Sequence, residues 1–94
     1  MSEITVTGPN VSGDVGHYRV SINLGDREVV YEPTFEIVGI SNTVRARAVA
    51  KDLCTVTANA LVKAGVPFND VLRAVATLVG MASAEKLRAV EPVG

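Results

Sequence analysis

The chain has 94 residues, 48% of them hydrophobic and 20% charged, a composition typical of one folded domain and not of a disordered segment. One cysteine and one histidine exclude an internal disulfide and argue against a clustered zinc site. The net charge is −1, with six acidic and two basic residues in 1–40 and four acidic and seven basic residues in 41–94. This balance falls short of the strongly basic surface that nucleic-acid binding usually requires.

The first half of the chain predicts strands. The β-branched run Ile4–Thr7 predicts a short N-terminal strand that ends at Gly8-Pro9, and the polar, glycine-containing segment 10–16 predicts a connection. Apolar and polar residues then alternate from Tyr18 to Leu24, which is the pattern of a half-buried strand.

A hairpin follows from the next two residues, Gly25 and Asp26, because glycine can adopt the positive φ that a two-residue turn needs. We therefore expect a central hairpin over about 17–38. The pairs that this turn predicts are Leu24 with Arg27, Ile22 with Val29, Val20 with Tyr31 and, on the outer face, Arg19 with Glu32. Pro33 then lies opposite Tyr18, where its missing N–H predicts a kink.

The second half predicts helices. Ser41 or Asn42 can cap a helix over about 42–64, which Gly65 ends. A second helix is expected over about 68–82, with an apolar row through Phe68, Leu72, Val75, Val79 and Ala82. Gly80 offers an alternative end to that helix, and Ser83 can cap a short helix over about 84–90.

The segment from Ala74 to Ala84 carries no charge, so the second helix has apolar residues on nearly every face. Its small residues Ala76, Gly80 and Ala84 are spaced by four, which allows another helix to approach closely. Helix 42–64 of the same chain can cover part of this ridge, and a second copy of the chain can cover the rest. The predicted dimer-contact residues are Ala76, Val79, Gly80, Met81 and Ala84, together with Val44 and Val62 on the incompletely polar outer side of helix 42–64.

Three basic residues, Arg45, Arg47 and Lys51, occupy the first turns of helix 42–64, where cations oppose the helix dipole. This placement leaves two interpretations open. Asp52 and the acidic strands can neutralise the cations internally, or the cations can bind a phosphate, a nucleic acid or another partner.

The sequence offers no set of residues that could act as nucleophile, base and orienting group in catalysis. Cys54 projects onto the apolar side of its helix as a small buried residue, and His17 stands at the entry to a strand. Glu28, Glu32 and Glu36 share one outward face, either as a solubilising stripe or as a docking site for a basic partner. We therefore expect no enzyme, no catalytic residues, no metal site and no cofactor.

The expected fold class is α+β, a single domain over 1–94 with a small antiparallel sheet followed by two or three helices on one face. The expected function is a non-enzymatic protein-interaction module, a homodimer that regulates or inhibits a larger partner; a nucleic-acid-binding protein is the alternative. The Val, Ala and Arg content is typical of a high-GC bacterium or its phage. With no apolar leader and no apolar run near the roughly 20 residues of a membrane span, we expect a cytoplasmic protein without a membrane partner.

Overall fold

A computed structural model describes residues 2–90 and has the predicted α+β class: a small antiparallel sheet followed by three helices. The four strands are β1 (Glu3–Ser12), β2 (Val15–Asn23), β3 (Glu28–Tyr31) and β4 (Thr34–Glu36). The three helices are α1 (Thr43–Lys63), α2 (Phe68–Met81) and α3 (Ala84–Arg88). Strand β2 is central, with β1 on one side and with β3 and β4 following one another on the other side.

The hairpin register is confirmed. Val20 pairs with Tyr31 and Ile22 with Val29, and the Leu24 N–H donates to the Arg27 carbonyl at 2.8 Å across the turn. On the outer face, Arg19 Nη1 lies 3.7 Å from Glu32 Oε1.

The strand is interrupted at Pro33, where the sequence predicts a kink. Strand β3 ends at Tyr31 and β4 begins at Thr34, while the Pro33 carbonyl still accepts a hydrogen bond from the Tyr18 N–H at 3.1 Å. The pairing of β4 with β2 continues in the same register, with Phe35 opposite Gly16. A Cβ on Gly16 would come within 2.5 Å of the Phe35 ring, so this close packing requires glycine.

The prediction for the N-terminal strand was wrong in length. Strand β1 does not stop at Thr7 but runs to Ser12, and only Gly13 and Asp14 lie between it and β2. Its register shifts between Thr7 and Asn10, where Gly8 and Pro9 form a bulge. Gly8 has φ +123°, which glycine tolerates, and the bulge lets the polar segment beyond it continue to pair.

The helix boundaries follow the predicted caps. The Asn42 side chain accepts a hydrogen bond from the Arg45 N–H at 3.0 Å, and Ser83 accepts one from the Lys86 N–H at 3.4 Å. Gly80 does not end α2, which continues to Met81. The predicted third helix stops at Arg88 instead of residue 90.

All three helices lie on one face of the sheet, and the core between them forms two clusters. The first contains Tyr18, Phe35, Ile37, Ile40, Ala46, Leu53, Leu78, Ala82 and Leu87. The second contains Val20, Ile22, Leu61, Val66, Val71 and Ala74. Within the first, the Tyr18 and Phe35 rings stack with centroids 5.9 Å apart. The Tyr18 hydroxyl donates to the Met81 carbonyl at 3.1 Å, which ties the central strand to the end of α2.

Candidate interaction surface

Helix α2 buries one side in the core and leaves an apolar side uncovered. Its buried residues are Val71, Ala74 and Leu78. Phe68 is 69% exposed, Leu72 is 52% exposed and Val79 is 50% exposed. A projection at about 100° per residue groups these three with the exposed Ala76 and Gly80 on one side of the helix. We call these five residues the α2 stripe.

The α2 stripe itself carries no charged residue, and its side chains are exposed, although the Lys86 ammonium at its end donates to the Gly80 carbonyl at 2.7 Å. A Cβ added at Gly80 would meet no heavy atom within 4 Å. Helix α1 therefore does not cover the Ala76 and Gly80 part of the small-residue ridge; the third residue of the ridge, Ala84, packs against the first core cluster, to which α1 contributes. Its contact with α2 lies deeper, where Ala58 and Val75 pack against the second core cluster.

The remaining predicted contact residues fall into two groups. Met81 and Ala84 are half-buried and pack against the first core cluster, so the fold already covers them. Val44 and Val62 are 75% and 56% exposed. They lie at opposite ends of α1, about 27 Å apart along the helix axis at 1.5 Å per residue. Val62 lies at the end of α1 that leads into α2, and Val44 is remote from it.

A third side of α2, between the α2 stripe and the buried row, is polar and contacts the start of the chain. Asp70 Oδ2 accepts a hydrogen bond from Ser2 Oγ at 2.9 Å. Arg73 Nη1 lies 3.4 Å from Asp70 Oδ1 and 3.5 Å from the Ser2 carbonyl oxygen. These are the only two charged residues within α2; Asp70 projects away from the α2 stripe, and Arg73 projects at its margin, one turn before Ala76.

The predicted basic cluster is divided between two sides of α1. Arg45 points toward β4, where its Nη2 lies 3.3 Å from Glu36 Oε2. Arg47 lines a cavity of about 420 Å³ between α1 and α3, together with Thr43, Ser83, Glu85 and Arg88. Lys51 is exposed one turn beyond Arg47. Internal neutralisation therefore applies to Arg45, by Glu36 and not by Asp52.

The residues that could support catalysis do not come together. His17 Nε2 lies 3.7 Å from Glu32 Oε2 on the outer face of the sheet, and Cys54 is half-buried on α1, where burial raises the pKa of its thiol. Within residues 2–90, no three His, Cys, Asp or Glu side chains form a group that could hold a metal ion. None of the helices described in that range has the length and apolar content needed to cross a membrane.

Comparison with known proteins finds no matching family model, no matching curated protein and no matching solved structure. The functional argument therefore depends on the geometry of this chain.

Phe68 and Leu72 are not among the contact residues that the sequence pattern predicts, although they are the two largest side chains of the α2 stripe. The sequence pattern places both of them in the apolar row of the second helix and not among the contact residues. The spacing Phe68, Leu72, Ala76, Val79 is itself a second apolar row, distinct from Val71, Ala74, Leu78. Two apolar rows on one helix were the signal that could have indicated an uncovered side.

Proposed function

We propose that the protein is a non-enzymatic protein-interaction module that forms a homodimer through the α2 stripe. One observation carries the proposal: Phe68, Leu72 and Val79 form a charge-free exposed row on a helix whose other apolar row already fills the core. Contiguous exposed apolar surface on a small domain marks a contact site more often than scattered single residues do.

The order of large and small residues favours a second copy of the same chain. In an antiparallel pair of α2 helices related by a two-fold axis at the level of Ala74, Phe68 lies at the level of Gly80 of the partner subunit. Leu72 then lies opposite Ala76 of the partner subunit. Each large residue is thus level with a small one, and Leu72 meets Ala76 near the centre of the contact, which lets the helix backbones approach closely.

Charge is compatible with this arrangement, because Asp70 lies outside the α2 stripe, and Arg73, which pairs with it, lies at the margin of the stripe with its side chain 54% exposed. A standard interface uses roughly 20–30 residues a side, many more than the five of the α2 stripe, so we expect weak association with a dissociation constant in the micromolar range. Nucleic-acid binding through Arg45, Arg47 and Lys51 stays the alternative prediction, and the pairing of Arg45 with Glu36 weighs against it.

The test is analytical ultracentrifugation of the full chain over a wide range of concentrations. We expect a monomer–dimer equilibrium that Leu72→Glu weakens at least about tenfold, because the interface would bury a charge from each subunit. Thr77→Glu is the matched control, since Thr77 is exposed on α2 outside the stripe. Gly80→Leu should also weaken the dimer while the monomer folds normally, because space around Gly80 is open.

A wild-type protein that stays monomeric at all concentrations contradicts the proposal. So does a dimer that Leu72→Glu and Gly80→Leu leave unchanged. A gel-shift assay at low salt tests the alternative, nucleic-acid binding. Binding through the basic residues would be lost in Arg47→Glu and on addition of salt.

A further inference from the structure

The sheet edge farther from β1 has backbone groups without a strand partner. The segment 27–37, which contains β3 and β4, pairs with β2 on one side only. Three backbone hydrogen bonds define the alternation: Leu24 N–H to Arg27, Tyr18 N–H to Pro33, and the Ile37 N–H to Asp14. Odd-numbered residues of the segment thus direct their backbone groups toward β2, and even-numbered residues direct theirs away from it.

The residues whose N–H and C=O groups point away from β2 are Glu28, Val30, Glu32, Thr34 and Glu36, which we call the free edge. All five are exposed, and within residues 2–90 no strand lies on the outward side to form hydrogen bonds with these groups. Proline commonly protects such an edge by removing an outward N–H. Here Pro33 occupies an inward position, so its missing N–H weakens the pairing with β2 and leaves every donor of the free edge in place.

A groove lies beside the β4 part of the free edge. It is a cavity of about 600 Å³ between β4 and the first half of α1. Val15, Phe35, Val49 and Leu53 supply apolar lining. A strand added to β4 would direct alternate side chains toward this groove and the others toward the outer face of the sheet.

Charge identifies what can occupy the free edge. Its outer face carries Glu28, Glu32 and Glu36, and Asp52 adds a fourth carboxylate in the groove lining. Two arginines face them, Arg19 at 3.7 Å from Glu32 and Arg45 at 3.3 Å from Glu36, so the carboxylates outnumber these cations. If two copies paired antiparallel around Glu32, the side chains of Glu32 would face each other and Glu28 would face Glu36 of the partner subunit. Like charges directly opposite one another destabilise such pairing, so a second copy is disfavoured.

We propose that the free edge and the adjoining groove bind an extended basic segment of a partner protein by strand addition. Backbone hydrogen bonds to Glu32, Thr34 and Glu36 would provide affinity. Lysine or arginine at every fourth position of the partner would meet the glutamates, and an apolar residue between them would enter the groove.

The experiment uses an acetylated and amidated peptide with lysine at every fourth position, threonine midway between lysines and valine at the alternate positions. We expect amide signals of the free edge and of Val49 and Leu53 to shift in nitrogen–proton correlation spectra of the full chain. Hydrogen exchange should slow at the amides of Glu32, Thr34 and Glu36. The same peptide with glutamate in place of lysine should not bind.

The matched variants are Thr34→Pro, which removes one outward N–H, and Thr34→Ala, which keeps it. We expect Thr34→Ala to bind like the wild type and Thr34→Pro to bind at least about tenfold more weakly. A peptide methylated on its pairing backbone nitrogens should fail to bind the wild-type protein. This measurement uses only the wild-type protein, so it does not depend on whether a variant folds.

Three results would overturn the proposal: absence of shifts at the free edge, equal binding by the glutamate and lysine peptides, or equal binding by the methylated and unmethylated peptides. The outcome is independent of dimerisation, because α2 packs beside β1 at the other edge of the sheet. Leu72→Glu should therefore bind the peptide like the wild-type chain.

Discussion

The two leucines of α2, Leu72 and Leu78, differ in how much of the side chain is buried. Leu78 is fully buried in the first core cluster, whereas Leu72, less than two turns earlier, is 52% exposed. Both belong to apolar rows with helical spacing, and neither row contains a charge. The sheet, α1 and α3 of this chain cover the first row and leave the second open. Apolar periodicity therefore identifies a helix, and the surrounding elements decide which row is core.

Leu78→Ala is the substitution with the largest expected effect on this comparison. Removing a fully buried leucine side chain leaves a cavity, so the free energy of unfolding should fall by about 2–5 kcal/mol. Leu72→Ala, measured in dilute solution, should lower it by less than about 1 kcal/mol. Urea denaturation of the two variants makes the measurement. Equal destabilisation would show that the Leu72 side chain is covered within the monomer.

Tyr18→Phe tests the hydrogen bond that connects the central strand to the C-terminal end of α2. The change removes the hydrogen bond to the Met81 carbonyl, and we expect a loss of about 1–2 kcal/mol in the free energy of unfolding at neutral pH.

The same variant has a predicted pH signature. Burial raises the pKa of Tyr18 to about 12. Because an unfolded tyrosine titrates near 10, the folded state holds the proton more tightly, and this part of the stability is present below pH ~10. It is lost as the pH rises from about 10 toward about 12, so the stability difference between wild type and Tyr18→Phe should narrow there. A difference that stays constant across that range would contradict the assignment.

Thr57→Val tests the buried side of α1, on which α2 and α3 also pack. Thr57 is fully buried, and its hydroxyl has no hydrogen-bond partner among residues 2–90. Replacing the hydroxyl by a methyl group removes a desolvated polar atom, so the variant should be more stable by about 1 kcal/mol.

Thr55→Val is the control for Thr57→Val. Thr55 is exposed, and its hydroxyl donates to the Lys51 carbonyl at 3.0 Å. Both substitutions exchange one β-branched residue for another, so helix propensity is matched. We expect Thr55→Val to change stability by less than about 0.5 kcal/mol, measured by thermal unfolding. If Thr57→Val destabilises the protein instead, the hydroxyl makes an interaction in solution.

Asp70→Ala has the smallest expected effect and concerns the polar side of α2. It removes the hydrogen bond from Ser2 and the ion pair with Arg73, which is exposed to solvent. We expect a loss of about 0.5–1 kcal/mol, which added salt reduces. Arg73→Ala provides the second corner of a double-mutant cycle, and additivity of the two changes would show that the pair contributes nothing.

Local sequence determined the hairpin and the helix caps. The turn at Gly25 and Asp26 fixes the register, because a slip by one residue would expose Val20 and Ile22 and bury their polar neighbours. Asn42 and Ser83 cap their helices through contacts that span only three residues. Each of these features depends on neighbours in the chain, so their residue types were sufficient to predict them.

The full length of β1 and the open side of α2 depend on distant residues. Strand β1 continues past Gly8-Pro9 because a bulge there lets its second half pair with the start of β2, and no local pattern in the polar segment indicates that pairing. Phe68 and Leu72 are exposed because the core beneath α2 is filled by Val71, Ala74 and Leu78. The amino-acid sequence by itself determined which segments are strands and helices, through periodicity, turns and caps. Only the tertiary structure decided which apolar row is covered, because burial depends on how much surface the rest of the chain can offer.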